Sequence, residues 1–174
     1  MGRRSDHAVG RSYSLRGQTP VIAGTGRRFG CNMISAITNL GHLNFMVFKG
    51  RFEAAVFLEF LRHLVRQSSR KVYLIVDRHP VHRSRKVKNW LEKNAQQIRL
   101  VLLPGYSPEL NPDEMLNQYI KSNAAGRKRA GNQRELLKSG RSFLRRRQLQ
   151  PYMVSIYFLE EHVRYAQLKT QSIY

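Results

Sequence analysis

Cysteine, acidic residues and long apolar runs are what this 174-residue chain is short of. Cys31 is its only cysteine, which excludes a disulfide framework and a thiolate metal cluster. The apolar neighbours of Cys31 suit a buried, inert thiol better than a nucleophile. No apolar run approaches the ~20 residues needed to span a bilayer. The N-terminus also lacks the apolar core of a signal peptide, so the expectation is a cytoplasmic protein with no membrane partner. Asp and Glu number 11 against 31 Lys and Arg, for a formal charge of +20 and a pI near 11.1. No fold requires such a field, and it favours a polyanionic partner, nucleic acid first among them. Binding to ribosomal or other structural RNA is the plainer version of that expectation.

Apolar residues make up 41% of the chain, and they are patterned. A chain of this length suits one domain and can bury roughly 70% of its unfolded surface. Residues 1–29 are rich in Gly and Arg and read as loop, with one short strand near Thr19 to Ala23. Cys31 to Thr38 (CNMISAIT) and Leu43 to Phe48 (LNFMVF) read as a strand pair joined by a turn at Asn39-Leu40-Gly41. From Phe52 to Arg66 the spacing turns helical, with Phe57, Phe60, Leu61, Leu64 and Val65 on one face. The short β-branched run Val72 to Val76 (VYLIV) predicts a central strand covered on both faces. Ser84 to Asn94 predicts a helix, Ile98 to Leu103 another strand, and Asn111-Pro112 the cap and first residue of a helix reaching about Lys121. The order β-β-α-β-α-β-α places the chain in the α/β class, as a mixed sheet flanked by helices.

Past Ser122 the composition changes. Arg127 to Arg147 holds nine basic residues against one acidic residue, Glu135. Leu136, Leu137, Phe143 and Leu144 give that stretch an apolar face, so a basic helix from about Gln133 to Leu149 is expected. A phosphate-contacting role is preferred to a merely solvated face because the charge is so one-sided. Pro151 to Tyr165 is apolar and aromatic and should pack back onto the domain. Trp90, Tyr152, Tyr157 and Phe158 read as core. These features divide the chain into a core over 1–126 and a basic helical extension over 127–174.

Asp77 follows VYLIV directly, and a carboxylate at a strand's C-terminal end can face a cleft while its backbone stays in the sheet. The same Asp would also suit a simple turn. Glu114, in the first turn of the helix after Pro112, is weaker evidence alone, because acids favour helix N-termini; its neighbour Asp113 could fill that capping role. The two lie 114 − 77 = 37 positions apart, room for one helix and one strand, which returns the chain to the same sheet edge. Two carboxylates there could hold Mg²⁺ ions for phosphodiester chemistry, and a third ligand is expected on the first strand of the sheet. The Asp77-x-His79-x-x-His82 spacing superficially suggests a transition-metal site, but the partners are oxygen-rich and no cysteine is near.

The segments VDRHPVH and PGYSPELNPDEMLNQYIK, with VGRSYSLRGQTP, GRRFGCNMISAI and FLEFLRHL upstream, resemble the endonuclease domain of mariner-type bacterial insertion-sequence transposases of the DDE superfamily. The resemblance covers nearly the whole chain. It implies a ribonuclease H-like fold and cleavage and strand transfer of double-stranded transposon-end DNA, with Mg²⁺ or substituting Mn²⁺. It implies that Asp77 and Glu114 are the second and third catalytic, metal-binding carboxylates, and that His82 shapes the cleft or contacts DNA. Arg127, Lys128, Arg129, Arg145, Arg146 and Arg147 are the candidate phosphate contacts. The family's first catalytic Asp lies on a first strand, just before the segment similar to Arg3 to Pro20. The expectation is therefore a chain truncated at its N-terminus, lacking the first strand and the helix-turn-helix region before it, with little cleavage activity alone. Asp6, in the following loop, could replace that Asp only through an unusual rearrangement. The alternative role for such a chain is a non-catalytic DNA-binding remnant that inhibits a full-length transposase through mixed oligomers; homo-oligomers are the other partner expected, and an upstream start or frameshift could supply the strand.

Overall fold

The structure, a computed structural model, describes residues 2–4, 15–18, 29–123 and 130–167. The strand expected near Thr19 to Ala23 lies outside these. Strand β1 (Gly2–Arg4) pairs antiparallel with β2 (Gly30–Ile37), and β2 pairs antiparallel with β3 (Leu43–Phe48). The β2–β3 turn ends at Gly41, whose φ is +85°. A Cβ there would stand 2.2 Å from the Pro151 carbonyl oxygen, so both backbone conformation and space demand glycine.

Helix α1 (Ala54–Gln67) follows, then β4 (Val72–Val76), α2 (Arg85–Lys93) and β5 (Ile98–Leu102), with β4 and β5 paired in parallel. Phe57, Phe60, Leu61 and Leu64 of α1 are buried against Leu74, Val87 and Ile98. Full burial of each large side chain is worth about 1.5–3 kcal/mol, and this cluster is what holds the parallel pair to its helices. Helix α3 (Pro112–Asn123) and the basic α4 (Gln133–Gln148) pack instead on β2 and β3, together with the short α5 (Pro151–Ser155). There Leu116, Ile120, Leu136, Leu144 and Val154 share a second core with Cys31, Met33, Leu43 and Val47. Ile34, Ala36 and Met46, on the other face of the β2–β3 sheet, pack against the first core.

Both strand types are therefore present, but in two small sheets, β1-β2-β3 and β4-β5. Among the described residues β4 pairs only with β5, and one of its faces is bare. Tyr73 is 63% exposed and Ile75 39%, beside Val101 at 40% on β5. This corrects the expectation of a strand covered on both faces. The outer edge of β3 is better protected: Gln148 donates to the Leu43 carbonyl and Arg141 to the Val47 carbonyl, so α4 side chains satisfy edge groups that would otherwise face water.

Candidate active site

Asp77 is the first residue beyond β4, and its carboxylate is 61% exposed. Its Oδ1 is engaged twice: it accepts the His79 backbone N–H at 2.9 Å and lies 3.0 Å from His82 Nδ1. The same Nδ1 is 3.1 Å from the Asp77 carbonyl oxygen. Because that carbonyl can only accept, Nδ1 carries the proton. His82 is itself buried, 4.5 Å from the Phe57 ring centroid and edge-on to Phe52. Burial lowers its pKa, outweighing the Asp77 hydrogen bond and charge that raise it. A neutral imidazole thus orients Asp77 and, among the described residues, leaves Oδ2 open toward the cleft.

Glu114 is brought to the same place by α3. Asn111 Oδ1 accepts the Asp113 N–H at 3.1 Å and the Asn111 carbonyl accepts the Glu114 N–H at 3.0 Å, with Pro112 as the first helical residue. Asp77 and Glu114 line one cleft of ≈ 530 Å³ together with Asn111, Arg78 and Arg83. Tyr106 forms another wall of it, fully exposed and with φ at +55°, a conformation that costs a non-glycine residue about 1–2 kcal/mol. Behind the carboxylates a second cavity, ≈ 350 Å³, runs between β2 and β4 under Ser35, Ile75 and Asp113.

Asp113 has a different role from its neighbour. The residue is partly exposed, but its carboxylate is enclosed: Oδ2 accepts from Ser35 Oγ at 2.9 Å and Oδ1 has no partner. Burial raises its pKa from 3.8 to about 6, with the Ser35 hydrogen bond opposing. The Ser35 bond ties the start of α3, and so Glu114, to the sheet.

Arg145 and Arg146 are exposed, whereas Arg147 is buried, its guanidinium 4.3 Å above the Tyr119 ring of α3. Arg127, Lys128 and Arg129 lie outside the described residues. Three further cations of the basic stretch, Arg134, Lys138 and Arg141, share a groove with Lys49 and Arg145. Their i, i+4, i+7, i+11 spacing was the available signal, as was the Leu136, Gly140, Leu144, Arg147 spacing that turns Arg147 inward.

Residues 1–137 match the sequence profile of the family described as DDE superfamily endonuclease. The chain belongs to the DDE superfamily endonuclease family. The chain is 26% identical over 139 residues to a protein of Shigella sonnei described as "Insertion element IS630 uncharacterized 39 kDa protein", a match covering 78% of this chain and 40% of that one. Among solved structures it resembles the Mos1 mariner paired-end complex with Mn, with a TM-score of 0.69 and 17% identity over 94% of this chain and 52% of the other. It also resembles the Mos1 strand transfer complex, with a TM-score of 0.60 and 18% identity over 93% and 51%. These likenesses identify the fold as ribonuclease H-like. The chain spans about half the length, or less, of these relatives.

The donors at the cleft fit a divalent metal of the hard type. Asp77 Oδ2 and the Glu114 carboxylate offer oxygen donors, the chemistry Mg²⁺ and Mn²⁺ prefer, while Asn111 Oδ1 is occupied by the Asp113 N–H. Among the described residues no group of three His, Cys, Asp or Glu is close enough to hold a metal by itself. The donor type fits, and among the described residues two carboxylates, Asp77 and Glu114, line this cleft.

Proposed function

We propose that this chain is the catalytic domain of an insertion-sequence transposase, acting in metal-dependent cleavage and strand transfer of double-stranded transposon-end DNA. The single observation that carries the reading is the convergence of Asp77 and Glu114, from separately packed elements, on one cleft flanked by Arg78 and Arg83. Two Mos1 structures of similar fold, the mariner paired-end complex with Mn and the transposase paired-end complex with left transposon end, support the same partner and metal.

Bound divalent cations would polarise the scissile phosphate and lower the pKa of the attacking hydroxyl. Asp77 and Glu114 would ligate them, Asp77 through the oxygen that His82 and the His79 N–H leave free. Arg78, held by its Nε–H to the Leu103 carbonyl at 3.0 Å, presents the rest of its guanidinium to phosphate at the cleft rim. His82 is a positioning residue, since it is buried and neutral and turned toward Asp77. With two carboxylates at the cleft, cleavage by this chain alone is expected to be weak, and a further oxygen ligand is needed for full activity.

That carboxylate count also favours a second reading, a DNA-binding relic that inhibits a full-length transposase by forming mixed oligomers. A nicking assay on cognate transposon ends with Mg²⁺ or Mn²⁺ separates the two. Metal-dependent nicking that disappears in Asp77→Ala supports the catalytic reading. Metal-independent binding, with no nicking by wild type and inhibition of a full-length relative, supports the relic.

A further inference from the structure

We infer that the groove between the outer edge of β3 and helix α4 is a track for the sugar–phosphate backbone of duplex DNA, leading away from the catalytic edge of the sheet. The inference deepens the nucleic-acid part of the function proposed above and does not depend on cleavage. The groove, ≈ 580 Å³, is lined by five cations, Lys49, Arg134, Lys138, Arg141 and Arg145. Four of them come from α4 alone. At 100° per residue they fall within an arc of about 60°. Arg146 lies roughly 100° from that arc's centre, and Arg147 points into the core.

Nothing acidic offsets this row among the described residues. The one acid on α4, Glu135, is committed to the helix start: it receives the Gly131 N–H and the Asn132 side chain, while Asn132 accepts the Glu135 N–H. The pairs 134/138, 138/141 and 141/145 are like-charge neighbours at i+4 or i+3, an arrangement unfavourable to the free helix. An external polyanion relieves it.

The groove's position gives it a direction. Gln133, at the start of α4, donates to the Gly30 carbonyl at the start of β2, and Gln148, at the other end, to the Leu43 carbonyl at the start of β3. Arg134 therefore lies near Lys49, just past the end of β3. Lys49 follows Phe48, whose ring is 6.3 Å from that of Phe52, and Phe52 lies 5.3 Å from the His79 ring, two residues from Asp77. The row thus begins at the edge that carries Asp77 and recedes from it. From Arg134 to Arg145 the helix rises about 16 Å, close to five base-pair steps of a duplex. A duplex lying there would place three or four phosphates against these cations while its end approaches the cleft.

The test is anisotropy-based binding of a 30-base-pair duplex to the full chain, in EDTA, across a KCl series. Two variants lose equal charge: R134Q/K138Q/R141Q/R145Q in the groove, and R62Q/R66Q/R70Q/K93Q on exposed positions at the far end of the β4–β5 half. The groove variant should bind at least about 30-fold more weakly, with the slope of log K against log[salt] reduced by about 3. Its Tm should stay within about 4 °C of wild type, because relief of the like charges offsets loss of the Arg141 hydrogen bond to the Val47 carbonyl, and a cooperative transition there shows that it is folded. The control should bind within about threefold of wild type. Equal losses in both variants, unchanged binding by the groove variant, or displacement of DNA by polyglutamate at matched charge concentration would overturn the inference. Metal is absent throughout, so a failure of the cleavage reading leaves this result standing, and a failure here leaves the nicking assay untouched.

Discussion

The two halves of the molecule are built to different degrees of enclosure. The half holding β2, β3, α3, α4 and α5 is covered on both sheet faces, and α4 side chains close its outer edge. The half holding α1, β4, α2 and β5 buries one face of its parallel pair and leaves Tyr73, Ile75 and Val101 open. Each half carries one carboxylate of the candidate site. Glu114 is fixed by capping and by the Ser35–Asp113 bond, and Asp77 by His82 and the His79 N–H. The site is thus an agreement between two separately packed cores, and its geometry depends on how firmly each is held.

The largest expected effect comes from breaking either core. Phe57→Ala should destabilise the β4–β5 half by about 3–5 kcal/mol, and Leu144→Ala the other by about 2–5 kcal/mol, as read from urea unfolding. Phe57 also packs on His82, so Phe57→Ala should impair Asp77-dependent chemistry more than its stability loss explains. A core variant that loses stability in one half while the site is unaffected would break the link between packing and chemistry.

Asp113 gives a pH-dependent contrast. Its folded pKa, about 6, is raised above the ordinary 3.8. The resulting stability is therefore fully present below about pH 4 and is lost as pH rises through 6. Asp113→Asn should raise stability at pH 8 by up to about 3 kcal/mol and flatten the decline between pH 4 and 7, measured by Tm in EDTA. An unchanged profile would show that the carboxylate is better solvated than its enclosure indicates.

The sequence made most elements legible because their periods are clean. LNFMVF and VYLIV are strands with the expected ends, and the basic helix runs over Gln133–Gln148. Asn111 and Pro112 open α3 as their chemistry requires. What VYLIV could not reveal is which of its faces finds a partner, since a continuous apolar run reads alike with one face covered or two. The motif around Asp77 and Glu114 was visible, but the burial of His82 was not, because an Asp-x-His-x-x-His spacing is silent about the Phe57 and Phe52 rings that enclose it. The triple arginine at 145–147 hid the angular difference between its members.

Smaller effects test the surfaces. Tyr106→Gly should be neutral or stabilising by up to about 1 kcal/mol, because glycine accepts the left-handed backbone, whereas Tyr106→Val should be destabilising. Ile75→Thr on the bare face of β4 should cost less than about 1 kcal/mol, against several for Phe57→Ala in the same half. A large loss at Ile75 would mean that the face is covered in solution.

The central claim is that Asp77 and Glu114, one from each half, act on one divalent cation site. Calorimetric titration of Mn²⁺ into wild type, Asp77→Asn, Glu114→Gln and the double variant tests it most directly. For a shared site, each single substitution should weaken binding by about as much as the double one, a strong non-additivity between the two positions. Independent, additive losses, or Mn²⁺ binding that neither substitution alters, would contradict it.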